Sequence, residues 1–117
     1  MNSYGRYNYY LQKETPNPWS DLANAIVADA ADDYRRLCSK KVRHGATMAD
    51  IEMSYLNGKI AEIDHFFNSD WGNLLSRGLA PAIWERLHAE FAEDIERVEA
   101  ERAMRKAEQE ENKNGKI

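Results

Sequence analysis

A chain of 117 residues with 43% hydrophobic and 31% charged residues suits one domain with one core. Its net charge of −4 and pI near 5.4 offer no positive surface for nucleic acid or an anionic membrane, so neither is expected as a direct ligand. The apolar runs fall far short of the roughly 20 residues that cross a bilayer, the start has no apolar leader, and Cys38 has no second cysteine to pair with, so a cytoplasmic protein is expected.

Residues 1–17 read as an arm. Tyr4, Tyr7, Tyr9 and Tyr10 stand there with Arg6, and Pro16 and Pro18 prevent a helix from running through. Tyrosine gives large contact area at low entropic cost, which makes these residues candidates for stacking on bases or for binding a partner; an arm folded back over the bundle, or one that simply frays, is the structural alternative. From Pro18 to about Lys41, Trp19, Leu22, Ala23, Ile26, Ala30, Tyr34, Leu37 and Cys38 recur at threes and fours, the spacing of one helical face. Asn17 suits the cap and Pro18 the first turn. Asp33 falls on the flank of this stripe, where Arg77, Arg86 or His88 could neutralise it.

Gly45 marks a loop, and Thr47-Met48-Ala49-Asp50 has the form of a capping box opening a second helix. Ala49, Met53, Leu56, Ile60, Ile63 and Phe67 form its seam. The period runs through Asn57-Gly58, which favours continuity there although glycine costs about 1 kcal/mol in a helix interior. Ser69 to Ser76 predicts a short helix presenting Trp71, Leu74 and Leu75, with Gly78 as its stop. From Pro81, the residues Ile83, Trp84, Leu87, Phe91, Ile95 and Val98 predict a last helix. Beyond Val98 the apolar pattern ends, and residues 99–117 read as a charged helical tail that frays in solvent.

Two constellations could carry chemistry. Glu62-Ile63-Asp64-His65 and Glu85-Arg86-Leu87-His88 each set a carboxylate and an imidazole three residues apart, as in carboxylate-bridged di-metal bundles. Projection places Glu62, His65, Glu85 and His88 away from or at the edge of the apolar seams, so no metal and no other cofactor is expected, and a di-metal carboxylate protein stays as an alternative. Arg35, Arg36, Lys40, Lys41 and Arg43 form the densest basic cluster and could hold an anion such as a nucleotide; equally, they are the cations that suit a helix C-terminus. No phosphate loop, zinc spacing or nucleophile elbow occurs, and Cys38 lies on an apolar face, so an enzyme is not expected.

The run Trp19, Leu22, Ala25-Ile26-Val27, Asp33-Tyr34-Arg35, followed by Phe66-Phe67-x-Ser69-Asp70-Trp71 and Leu79-x-Pro81, resembles small helical proteins carried by bacterial phages and integrative elements, a group with no established activity. The likeness spans about residues 19 to 90 and implies a mobile-element context; the arm and the tail depart from it.

The expected architecture is all-α. It comprises a small bundle of three longer helices and one short one over 18–98, with the arm at 1–17 and the tail at 99–117. Its expected core is Trp19, Leu22, Ile26, Leu37, Leu56, Ile60, Ile63, Phe67, Trp71, Leu74, Leu87 and Phe91. The expected function is that of a non-enzymatic module that occupies the surface of a host protein, with inhibition of a defence system as its context. A homo-oligomer that sequesters a nucleotide is the alternative from a different class.

Overall fold

A computed structural model describes residues 17–115, and the regular elements among them are helices: α1 (Pro18–His44), α2 (Asp50–Phe67), α3 (Asp70–Leu75) and α4 (Ala80–Gly115). Three long helices and a short one thus form an all-α bundle. Contacts at a steady offset set the directions. Tyr34 meets His88, Arg35 meets Glu90 and Lys41 meets Glu99, so α1 and α4 run parallel, while the bonds from Trp84 to Asp64 and from Arg102 to Asp50 place α2 antiparallel to α4.

The ends of the helices follow local chemistry. Asn17 is extended (φ −104°, ψ 101°), and its side chain accepts from the Trp19 and Ser20 amides with Pro18 at the first position. Ser69 caps α3 through the Gly72 amide, at 3.0 Å. The chain then turns with Arg77 at φ 58° and Gly78 at φ 85°, and the Gly78 amide returns to the Asn73 carbonyl at 2.8 Å, the bond of a Schellman stop. The left-handed turn therefore begins one residue before the glycine, in an arginine that bears a cost on the order of 1 kcal/mol. Ser76 Oγ accepts from the Ala80 amide and so finishes the start of α4.

The capping box expected at the start of α2 does not form. Ala49 occupies the cap with no side-chain bond, because Asp50 turns instead to Arg102 and Lys106 of α4. α2 itself runs unbroken through Asn57-Gly58.

The core lies between α1, α2 and α4. Tyr34, Cys38, Phe67, Ala80 and Leu87 are buried together, with Val27, Ile60, Ile63, Ile83, Trp84, Phe91 and Ile95 packed around them. A second cluster of Met48, Met53 and Leu56 joins Leu37 and Ile60 near the α1–α2 loop. Gly45 is required in that loop, since a Cβ there would run into the Lys41 carbonyl and stand 2.8 Å from Val98 Cγ1. Five residues of the expected core lie outside it: Trp19 is 79% exposed, Leu22 52%, Trp71 59% and Leu74 69%, and half-buried Ile26 joins neither cluster. The reason is the offset of the helices. α4 begins opposite about the third turn of α1, so the first two turns of α1 extend past the ends of the other long helices and, among the described residues, meet α3 and the α3–α4 turn.

Only the apolar stripe ends at Val98. α4 continues through the charged region, and Glu99, Arg102 and Lys106 bond to the loop end of the bundle, whereas residues 107–113 are exposed. No described helix is long and apolar enough to cross a membrane.

Candidate interaction surface

The overhanging start of α1 carries Trp19 and Leu22 on its outer side, while Ala23, Ile26 and Val27 turn partly inward. The six residues of α3 divide in the same way. Gly72 is buried against the Phe66 carbonyl, where a Cβ could not fit, and Leu75 is half-buried. A helix that presses Gly72 and Leu75 inward must turn Trp71 and Leu74 outward, because residues at i and i+3 share a face. Leu79, 59% exposed, follows in the turn before α4. The Arg77 guanidinium donates to Ser20 Oγ and fixes the turn to the first turn of α1. Two indoles and three leucines therefore share one end of the molecule. Directly beneath this end, Phe67 is 1% exposed and meets Phe66 edge to face at 5.3 Å.

At the opposite end the polar groups are engaged with one another. Lys41 is buried, and its ammonium donates to Asn57 Oδ1 at 2.9 Å and Glu99 Oε2 at 2.8 Å. Arg102 donates to the carbonyls of Gly45 and Met48 and to the Asp50 carboxylate at 2.6 to 2.8 Å, closing the α1–α2 loop from a distant part of the chain. The hydrogen bond from Lys106, helped by Arg102, holds the Asp50 carboxyl below its usual range. An open cleft of about 280 Å³ lies over Lys41, Met53, Asn57, Glu99 and Lys106.

The basic cluster is not gathered into one pocket. Arg35 reaches Glu90 on α4 at 3.1 Å and lowers that carboxyl, Arg36 pairs with Asp33 at 2.9 Å, and Lys40 lies 3.7 Å from Glu52. Lys41 points into the bundle, and Arg43 flanks a separate hollow beside Val42 and Phe91. Asp33 is thus neutralised by its own helix, three residues on, and not by Arg77, Arg86 or His88.

The two Glu-x-x-His steps are not brought together either. Glu62, His65, Glu85 and His88 are all exposed, and among the described residues no three His, Cys, Asp or Glu side chains are placed to hold a metal ion. His88 stacks on Trp84 (4.7 Å between centroids, 11°) with Nδ1 3.5 Å from Tyr34 Oη, while the Trp84 indole donates to Asp64 at 2.7 Å. This polar seam leads inward to Cys38, whose thiol burial pushes up to about 11; the same burial raises the Tyr34 phenol. A thiol kept protonated and sealed in this way is a core group and no nucleophile.

Tyr4, Arg6, Tyr7, Tyr9 and Tyr10 lie outside the described residues, but they join the structure at Asn17, immediately beside the exposed apolar end. Reading spacing alone placed Trp19, Leu22, Trp71 and Leu74 inside; for Trp19 and Leu22 the signal that could have found them is helix length, since an α1 nine residues longer than α2 must overhang it. Compared with protein-family models, curated proteins and solved structures, the chain matches none.

Proposed function

We propose that the chain is a non-enzymatic protein-binding module of a phage or mobile element, which docks its apolar end on a host protein and so blocks that protein's function, a defence system being the target such an element would meet. The observation that carries this reading is the grouping of Trp19, Leu22, Trp71, Leu74 and Leu79, each more than half exposed, at one end. Apolar side chains scattered singly over a surface need no explanation, but a group of large ones on one end is the mark of an interaction site. Tryptophan in particular is enriched among the residues that dominate binding, and each indole removes about 150–250 Å² from water when covered. Two of them supply a substantial part of the roughly 800 Å² that each partner contributes to a standard interface. The mobile-element context rests on the resemblance of residues 19 to 90. The arm tyrosines, attached at the same end, would extend the surface.

The test compares the parent chain with a Trp71→Ser, Leu74→Ser variant in affinity capture from host lysate at physiological salt. Both side chains point outward, so the variant is expected to keep its helical circular dichroism and its denaturation midpoint to within about 0.5 kcal/mol. A protein retained by the parent and lost by the variant supports the reading. Retention of nothing, or equal retention by both, removes it.

A further inference from the structure

We infer that the apolar end is also where two copies of this chain meet about a twofold axis, so that Trp19, Leu22, Trp71, Leu74 and Leu79 of one copy cover those of the other. Area is the first argument. The two indoles, 79% and 59% exposed, and the three leucines, 52% to 69% exposed, leave on the order of 500 Å² of apolar side chain in water. Two such faces pressed together remove about 1,000 Å², the lower bound of a specific interface, which defines a weak, reversible dimer and not a permanent one.

Charge is the second argument. Exposed Asp21 and Asp70 adjoin Leu22 and Trp71, and exposed Arg77 stands two residues before Leu79. Among the described residues no ion pair takes up any of these three. The Arg77 guanidinium donates to Ser20 Oγ through Nη2, which leaves the rest of its fork for a carboxylate. A rim that carries both signs around an apolar centre is complementary to itself. A twofold axis through that centre sets the two rims against each other, so Arg77 of each copy can meet Asp21 or Asp70 of the other. Exclusion is the third argument. The loop end exposes the polar residues 107–113 and has its carbonyls and Asp50 engaged, so pressing it on the indoles would desolvate charge without return. Of the two ends, the apolar one thus finds its match in itself, and a patch that contacts its own copy closes at two chains without growing into a fibre. The dimer uses the surface of the proposed host contact but does not rest on that reading: a host protein would meet the monomer, and self-association sets how much monomer there is.

Sedimentation equilibrium of the full chain, with tryptophan emission followed over the same concentrations, tests this. The average mass is expected to rise across the micromolar range from 13.5 kDa towards twice that value, with the emission shifting to the blue in step as two of the three indoles leave water. Trp71→Ser with Leu74→Ser should hold the mass at 13.5 kDa throughout. Charge reversal decides the pairing. Arg77→Glu alone, and Asp21→Arg with Asp70→Arg alone, should each weaken self-association by about tenfold or more, since like charges then face each other across the axis. Mixing these two variants should restore association to at least the parent's level, because each copy again meets the opposite sign, and the recovery also shows that both are folded. A full chain that stays at 13.5 kDa at every concentration overturns the inference, whatever else covers the indoles. So does a dimer that survives the loss of Trp71 and Leu74, or a mixture of the charge variants that associates no better than each alone. A dimer without host capture would retire only the protein-binding reading, and host capture by a chain that never dimerises only this one.

Discussion

The two ends of the bundle pose the same problem and solve it differently. At each end one helix outruns its neighbours: α1 by its first two turns, α4 by the residues beyond Lys106. At the loop end the protruding surface is polar, and the groups just before it are tied to the chain itself. Arg102 closes the loop carbonyls, Asp50 takes two cations, and buried Lys41 is met by Asn57 and Glu99. At the other end the protruding surface is apolar, and the one cross-link among the described residues joins Arg77 to Ser20, leaving the indoles and leucines in water. Solvated charge is cheap to leave exposed, whereas apolar surface is a standing gain for whatever covers it. An overhang of the second kind reads as an interface, and one of the first kind as a finished end.

This contrast can be broken most sharply directly under the apolar end. Phe67→Ala should lower unfolding free energy by about 3–5 kcal/mol, because a fully buried ring leaves a cavity that packed helices close only in part. Denaturant titration checks it. A loss as small as that expected for the exposed Trp71 and Leu74 pair would mean that the apolar end has no rigid floor and is not a built surface. At the polar end, Arg102→Met should cost about 2 kcal/mol by leaving the Gly45 and Met48 carbonyls without their donor. Arg102→Lys should recover only part, since an ammonium lacks the planar fork that meets both carbonyls and Asp50 at once. Full recovery by lysine would show that charge alone closes this end.

What the sequence made legible follows from the same difference. Period identifies which side of a helix is apolar, and α1, α2, α3 and the first half of α4 lie where their stripes put them, α1 and α3 with the caps expected of Asn17 and Ser69. Period does not say how far along that side the neighbouring helices reach. Trp19 and Leu22 belong to the stripe that buries Tyr34 and Cys38 and still lie in water, because depth depends on lengths and offsets that only packing sets. The capping box at Thr47 failed for a related reason: Asp50 has a competitor for its side chain fifty-two residues away in Arg102, and local spacing is blind to that partner. Among the described candidates, the basic cluster on α1 was legible as sequence and dispersed in space, since residues one apart on a helix point about 100° from each other and Arg35, Arg36, Lys40 and Lys41 each met a different acid.

Acid should weaken the loop end in a way it does not weaken the apolar end, and this is the finest test of the comparison. The hydrogen bond and charge of Lys106, followed by those of Arg102, lower the pKa of Asp50 in the folded chain. A carboxyl whose folded pKa is depressed binds protons more readily when unfolded, so its contribution is complete above the unfolded value, about 3.9, and is lost as pH falls through the folded value. Unfolding midpoints measured between pH 7 and pH 2 should therefore decline more steeply for the parent than for Asp50→Asn, with the two curves converging at the acid limit. The Asp50 carboxylate is largely open to solvent, so the gap between the curves at pH 7 should be small and should narrow further in 1 M salt, where the screening length falls to about 3 Å. Trp71→Ser removes no titrating group and should run parallel to the parent at every pH. If Asp50→Asn also ran parallel, the pairs of Asp50 with Arg102 and Lys106 would be contacts without consequence, and only the carbonyl bonds of Arg102 would remain to distinguish the closed end from the open one.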